Sequence, residues 1–185
     1  MRVKGTAIAV LPKFIESQFG SAGLQQWKEA LSSEAKGIYS GIIMTSDWYP
    51  IKEAYLEPTA LLCELFYKGD PRGARELGHY SADYSLRGVY KAFVKLHSVK
   101  QFCNRTVDIL HTYYDPCQAK VTLVEENRAA LQITMFPLPS PYAELRVAGW
   151  TERAFEIHGR RNCRVEITRS LTRGDPCTEF TGTWE

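Results

Sequence analysis

The sequence has no apolar run that approaches the roughly 20 residues needed for a membrane-spanning helix. Near the N-terminus, the apolar stretch around Ile8 covers only about six residues and lacks the core and cleavage site of a signal peptide. We therefore predict neither a membrane span nor a signal peptide.

An excess of charge of one sign is also absent. The 23 lysines and arginines nearly balance the 21 aspartates and glutamates, which leaves a net charge of +2 and no basic block. Proteins that bind nucleic acid by neutralising phosphates cluster their lysines and arginines. The charge balance therefore excludes a nucleic-acid partner recognised in this way.

Cysteines are few and scattered, and no two of them form a CxxC pair. An odd number of cysteines without framework spacing is typical of reduced thiols rather than of a disulfide scaffold. We therefore predict a cytoplasmic protein with five free thiols, at Cys63, Cys103, Cys117, Cys163 and Cys177.

The motifs of several large enzyme classes are missing. The sequence contains no Gly-rich dinucleotide fingerprint, Walker loop, HExxH or GxSxG. Its four histidines are dispersed, and none belongs to a group with metal-ligand spacing. We predict that the protein is not an enzyme and requires no cofactor.

Helical patterns fill the first two-thirds of the chain. Apolar residues at helical spacing predict a helix over 8–19, closed by Gly20, and another that begins at Pro58. Two more helices are predicted over 74–96 and 99–113. The segment 45–50 has the chemistry of a turn before another helix begins.

The last third alternates with a period of two, which is typical of strands. Two strands with a hairpin loop at 125–128 precede a predicted helix over 141–158, capped by Ser140. A second hairpin, closed by the turn 173–176, follows it. The predicted fold is α+β: a single domain in which a helical half (1–115) packs on a four-stranded antiparallel sheet of β-β-α-β-β order (116–185).

Several motifs, in this order and spacing, resemble a known superfamily. They are Phe19-Gly20, Trp48-Tyr49-Pro50, residues 78–85 with Gly88 and Tyr90, Ile109-Leu110-His111, and Gly174-Asp175-Pro176 with Glu179-Phe180. Over nearly its whole length the chain is similar to haem-nitric-oxide/oxygen-binding (H-NOX) domains and to 4-vinyl-reductase-type ligand-sensing domains. It most resembles an uncharacterised paralogous group abundant in myxobacteria. The resemblance implies a ligand buried between the two halves.

In H-NOX domains, one histidine near the end of the helix before the sheet ligates haem iron. The segment ending in Leu110-His111 resembles that helix, so the resemblance implies His111 as a haem ligand. The alternative is a helix-end histidine that is satisfied by a backbone carbonyl. The Tyr-x-Ser-x-Arg signature for the haem propionates is missing from residues 136–140, and residues 142–146 match two of its three positions inside the predicted helix.

The 4-vinyl-reductase-type branch often carries a zinc site around its final hairpin. The resemblance implies Glu166 and Cys177 as two ligands, and Cys163 as a third. Ser170 stands where the branch has another cysteine, so the set is incomplete for a structural zinc. We predict that zinc is absent and that Cys163 is a small apolar core residue.

Aromatic and aliphatic residues could line a pocket between the halves, or they could fill a dry core. Arg87 could meet an acidic ligand head, or lie in a surface ion pair. The pocket candidates are Tyr80, Tyr84, Tyr90, Phe93, Phe102, Leu110, His111, Tyr113, Leu131, Ile133 and Met135.

Three functions follow as hypotheses. The first is a stand-alone sensory domain that binds a hydrophobic small molecule and passes its occupancy to a protein partner or through a homodimer. The second is a haem gas sensor with His111 as the iron ligand. The third is a ligand-free interaction or scaffold domain. Because the sequence ends directly after its last predicted strand, we expect no attached output domain.

Overall fold

The structure confirms the α+β fold class. It is a computed structural model and describes residues 1–87 and 98–185. Helices predominate up to Tyr113, and a four-stranded sheet interrupted by one helix follows. The assignment of the chain to a single domain, divided at residue 115, stays a prediction.

Helices of the first part follow the predicted pattern closely. Gly20 has φ +71° and kinks α2 where we predicted that the first helix ends, and Pro58 lies in the first turn of α4. Within 1–87 and 98–185, no helix is long and apolar enough to cross a membrane. The helices before the sheet are α1 (Gly5–Ile8), α2 (Val10–Ala30), α3 (Ser33–Ser40), α4 (Glu57–Tyr67), α5 (Arg72–Arg87) and α6 (Val99–Tyr113).

The long helix predicted over 74–96 corresponds to α5. It begins at Arg72, and its described part ends at Arg87. The remaining predicted residues, with the pocket candidates Tyr90 and Phe93, lie outside the described ranges. Helix α6 coincides with the predicted segment, and the hydroxyl of Ser98 caps it by accepting the backbone N–H of Gln101.

A small sheet that we did not predict joins three distant segments. Strands β1 (Arg2–Lys4), β2 (Trp48–Pro50) and β3 (Tyr114–Asp115) pair antiparallel in the order β2-β1-β3. The turn predicted over 45–50 is therefore confined to residues 45–47, and the prediction was wrong for Trp48–Pro50. The backbone of this strand is extended because it pairs with β1, a long-range partner that local turn chemistry does not reveal.

The second sheet contains β4 (Gln118–Val124), β5 (Arg128–Met135), β6 (Arg164–Arg169) and β7 (Thr178–Thr183), in the spatial order β4-β5-β7-β6. All neighbours are antiparallel. Helix α7 (Pro141–Ile157) connects β5 to β6. Ser140 occupies its N-cap position, but the expected capping bond from the hydroxyl is not formed. The Ser140 backbone carbonyl accepts the N–H of Glu144.

Helices α5 and α7 approach each other so closely that their backbones nearly touch. A Cβ atom at Gly78 would lie 2.3 Å from the carbonyl oxygen of Arg146, and one at Gly149 would lie 2.1 Å from that of Arg75. No side chain fits at either position. The two glycines are therefore what allows the helical part and the sheet-bearing part to pack together at this distance.

Two clusters of buried apolar residues lie on either side of this contact. The larger includes Phe102, Leu131 and Phe155 and is shared by α6, α7 and the four-stranded sheet. The smaller packs α2 and α3 against α4 and α5, with Trp27 and Leu77 completely buried. The candidate site described below is at the edge of the larger cluster.

We predict that Gly78→Ala or Gly149→Ala lowers the free energy of unfolding by at least about 2 kcal/mol, because the methyl group must displace backbone atoms. Gly37→Ala on α3 is the matched control, since nothing lies within 4 Å of its Cβ position. It should be neutral or should add up to about 1 kcal/mol through helix propensity. Urea denaturation measures all three, and equal effects at the three glycines would contradict the close approach.

Candidate functional site

A cavity lies where α1, α5, α6 and α7 meet. Its empty volume is about 390 Å³ when the solvent at its mouth is included, but the part open to water-sized molecules is about 30 Å³. A guest larger than a few water molecules must therefore displace the walls. The described wall of the cavity is mostly apolar, with a few hydroxyl groups and one charged side chain. Its lining residues are Ala7, Tyr55, Gly78, Ser81, Ile109, Leu110, Tyr113, Tyr114, Arg146, Val147 and Trp150.

Arg146 on α7 is the charged residue of this wall, and it is only 4% exposed. Nη1 donates a hydrogen bond to Oγ1 of Thr59, and Nη2 donates one to the carbonyl oxygen of Ala7, each 2.9 Å long. The guanidinium carbon lies 3.8 Å from the ring centroid of Tyr55, a cation–π contact. These contacts tie α7 to α1 and α4.

The charge of Arg146 has no acidic partner within 4.0 Å among the described residues, and residues 88–97 contain no aspartate or glutamate. Arginine stays protonated at physiological pH. A buried cation without a buried counter-ion therefore borders the cavity.

Two tyrosine hydroxyls meet in the same wall. The hydroxyl oxygens of Tyr55 and Tyr114 lie 2.7 Å apart, and both side chains are buried. Burial, followed by the neighbouring Tyr55, raises the pKa of Tyr114 well above its usual value, although Arg146 acts in the opposite direction. Tyr114 is therefore protonated at neutral pH, and the bond between the two hydroxyls uses a single proton.

A second cavity, with an empty volume of about 270 Å³, lies on the sheet side of α7 and shares Val147 with the first. Glu144 lies at its edge and accepts hydrogen bonds from the hydroxyls of Ser170 (2.7 Å), Thr172 (2.8 Å) and Thr178 (2.6 Å). These donors satisfy the buried carboxylate, so Glu144 anchors the start of α7 to the β6–β7 hairpin.

The pocket residues predicted from the sequence are distributed over several environments. Leu110 and Tyr113 line the larger cavity, and Ile133 lines the smaller one. Phe102 and Leu131 are buried in the core, and Met135 is half-buried on β5. Tyr80 packs against Phe14, whereas Tyr84 is 46% exposed with Lys13 near its ring. Tyr90, Phe93 and the side chain of Arg87 lie outside what the structure describes.

His111 is exposed on α6, and its Nε2 accepts the backbone N–H of Ala119 on β4 at 3.1 Å. The alternative considered from the sequence expected a backbone carbonyl as the partner; the structure instead has a backbone N–H, so the imidazole nitrogen is the acceptor. A haem ligand needs a free imidazole nitrogen that faces an apolar pocket. The geometry of His111 does not fit that requirement.

No described histidine lines the larger cavity. Nε2 of His79 lies 2.9 Å from Oε1 of Glu152, in an open groove on the other side of α5 and α7. The ring of His158 packs on Phe102, with 4.5 Å between the centroids, and His97 lies outside the described residues. Arg146, at the end of the two-of-three match to the propionate signature, lies within α7 and bonds the protein itself.

The cysteines show no arrangement suited to zinc. Within the described ranges, no three His, Cys, Asp or Glu residues come together at metal-binding distance. All five thiols are free. Burial raises the pKa of Cys163 to about 11 and that of Cys117 to about 12, which disfavours the thiolate form that binds zinc.

Sequence reasoning missed the polar part of the cavity, namely Tyr55, Tyr114 and Arg146. A signal for Arg146 was present. Ala143, Arg146, Val147 and Trp150 recur at helical spacing and form the buried face of α7. A charged residue on an otherwise apolar helix face is unusual, and it indicates that the side chain has a specific role in the interior.

Glu152 links three elements at the open groove. It accepts hydrogen bonds from Nη2 of Arg75 (2.6 Å) and from the backbone N–H of Val165 (2.7 Å), and it contacts His79. Burial raises the pKa of Glu152, but the hydrogen bonds from His79, Val165 and Arg75 outweigh that effect and lower the pKa to about 2. The carboxylate therefore stabilises the folded state in its charged form.

The fold is that of solved H-NOX domains. An H-NOX protein from S. oneidensis in the Fe(II)NO ligation state matches with a TM-score of 0.75 and 12% identity, covering 98% of this chain and 99% of that chain. An Fe(II) unliganded H-NOX mutant from K. algicida matches with a TM-score of 0.73 and 13% identity, over 98% and 96%. A point mutant of the T. tengcongensis H-NOX matches with a TM-score of 0.66 and 11% identity, over 98% and 97%.

No family model matches the sequence, and no curated protein matches it either. At 11–13% identity, the structural matches show the shared fold, and the chemistry of the site has to be judged from this chain's own residues.

We predict that Glu152→Gln lowers stability at pH 7 by on the order of 3 kcal/mol, because a pKa of about 2 against 4.5 favours the folded state above pH 4.5. In the wild type this contribution is lost as the pH falls from about 4.5 to 2. Urea denaturation across this range should show a steeper loss in the wild type than in Glu152→Gln. The exposed Glu16→Gln variant should follow the wild type, and an equally steep loss in Glu152→Gln would contradict the assignment.

Proposed function

We propose that this chain is a sensory domain that binds a small, mainly apolar molecule in the cavity between its helical part and α7. It passes the occupancy of that cavity to a protein partner or to a second copy of itself. It is not an enzyme and requires no cofactor. Its location in the cytoplasm, expected from the scattered cysteines, stays a prediction.

The observation that carries this proposal is the composition of the cavity wall. Leu110 and Tyr113 come from α6, Val147 and Trp150 from α7, and Ala7 from the N-terminal segment. A bound molecule would therefore touch elements that are far apart in the chain. A ligand shifts a conformational equilibrium only if it contacts the two states differently, and a cavity between separate elements meets that condition.

The match to H-NOX folds makes a haem-based gas sensor the second candidate. The coverage of 98% of this chain supports it, and the matched proteins from S. oneidensis and K. algicida are Fe(II)NO and Fe(II) unliganded forms. The environment of His111 opposes it, since this imidazole is exposed and bonded to β4. We therefore rank haem below a metal-free apolar ligand.

The third candidate is a ligand-free scaffold whose interior is simply packed. Several predicted pocket residues, including Phe102 and Leu131, are indeed core residues. The scaffold differs from the proposed sensor in one measurable respect, which is whether the cavity accepts a guest.

We predict that the wild type binds n-octanol and that Val147→Phe does not, because the larger ring occupies the cavity that Val147 borders. Ligand-observed NMR measures binding, and circular dichroism verifies that the variant is folded. Ile42→Phe is the control, since Ile42 is 88% exposed and should leave binding unchanged. Native mass spectrometry of the purified protein provides a second test through any retained apolar guest. A wild type that neither binds octanol nor retains a guest would favour the scaffold.

We predict that protein purified from haem-supplemented cells shows no Soret band that depends on His111. The reason is that Nε2 of His111 is engaged by Ala119 and that His111 does not line the cavity. Absorption spectra of the wild type and His111→Ala should both be flat in the visible region. A sharp Soret band in the wild type that disappears in the variant would establish haem ligation and overturn the ranking.

A further inference from the structure

Resting on the proposed function, we infer that the ligand of the larger cavity is an anion, with an apolar body and a carboxylate head that pairs with Arg146. The inference specifies the chemical class of the ligand, and it rests on the unused hydrogen-bond donors and the unbalanced charge of the cavity wall.

Arg146 has more donors than the protein uses. A guanidinium carries five N–H groups, and two of them donate, to Thr59 and to Ala7. The remaining three make no hydrogen bond within the described residues. In the described part of the chain, no guanidinium nitrogen of Arg146 is a fully buried atom without a partner, so the spare N–H groups remain available to an acceptor that enters the cavity lined by Arg146.

The charge of Arg146 is a second, independent reason to expect an anionic ligand. A cation that is only 4% exposed and has no carboxylate within reach carries a desolvation cost that nearby dipoles offset only in part. Contact with the Tyr55 ring lowers that cost but does not neutralise the charge. A ligand carboxylate would neutralise it and could form two parallel hydrogen bonds with the guanidinium.

The tyrosine pair adds a further donor. Tyr55 and Tyr114 have two hydroxyl protons, one of which is used in the bond between them. The second proton has no acceptor among the described residues, and both rings line the cavity. Donors therefore outnumber acceptors around the polar end of the cavity, which is the arrangement that recognises an anion rather than an amine or a neutral donor.

Among the described lining residues, the single charge and the apolar remainder of the wall favour a carboxylate over a phosphate. One guanidinium balances one negative charge, whereas a phosphate monoester carries about −1.5 to −2 at neutral pH. Ile109, Leu110, Val147 and Trp150 offer the rest of a ligand only carbon surface or a ring. A short alkyl or aryl carboxylate matches both features.

The test uses matched pairs of straight-chain carboxylates and their primary amides, from four to ten carbons, titrated into the full-length protein by calorimetry. We expect the best carboxylate to bind about tenfold to a hundredfold more tightly than its amide, because a charge-assisted hydrogen bond replaces a neutral one. The corresponding alkyl phosphate should bind more weakly than the carboxylate.

Arg146→Met should remove the preference for the carboxylate while keeping the affinity for the amide. Arg146→Lys keeps the charge but loses the planar fork and the stacking on Tyr55, so it should keep a smaller preference. It also serves as the second variant if Arg146→Met does not fold. Tyr114→Phe removes the hydroxyl pair and should weaken carboxylate binding without affecting the amide.

The outcomes separate this inference from the proposed function. If the carboxylate and the amide bind equally well, or the phosphate binds best, the cavity binds ligands but the assignment of a carboxylate fails. If the preference persists in Arg146→Met, the charge of Arg146 is not its cause and the inference fails. If no member of either series binds and octanol does not bind either, the proposed function fails together with it.

Discussion

The structure depends on one steric constraint, the near contact between the backbones of α5 and α7. Gly78 and Gly149 permit it, since a Cβ atom at either position would overlap a carbonyl group of the other helix. At this distance Glu152 on α7 reaches Arg75 and His79 on α5, and the same carboxylate holds the first residues of β6 through Val165. The helices and the four-stranded sheet therefore share one rigid contact, and its geometry sets the size of the space beside it.

The cavity beside this contact differs from an ordinary apolar core. In the described part of the chain, α7 presents Arg146 to a wall that is otherwise built of rings, aliphatic groups and hydroxyls, and both acceptors of the guanidinium are neutral. The two buried carboxylates of α7 are matched instead. Glu144 receives three hydroxyl donors, and Glu152 receives an arginine and a backbone amide. Both buried carboxylates of α7 are thus satisfied by donors, whereas the charge of Arg146 is not balanced by a described carboxylate.

This protein matches H-NOX domains in fold, whereas its side chains differ from those that the resemblance implied. The backbone follows that of H-NOX domains over 98% of the chain. Yet the histidine that the resemblance implied as an iron ligand accepts a backbone N–H on an exposed face, and the residues that would hold propionates are replaced or lie within a helix. A fold positions elements, while the ligand is chosen by the side chains that reach the space between them. Here those side chains offer donors and carbon surface in place of a metal ligand.

The sequence by itself predicted the helix up to Gly20, α4 to α7, the two hairpins of the four-stranded sheet and the α+β class, but not α3. Periodicity, Gly20, Pro58 and the turn residues allow this because they act over short distances. The sequence also placed Leu110, Tyr113 and Ile133 at cavities. Only the tertiary structure decided that Trp48–Pro50 is a strand, that Tyr84 is exposed, and that Arg146 meets Tyr55, Thr59 and Ala7. Each of these depends on partners dozens of residues away. Helical spacing shows which residues share a face, but which element packs on that face is fixed by long-range contacts that no local pattern encodes.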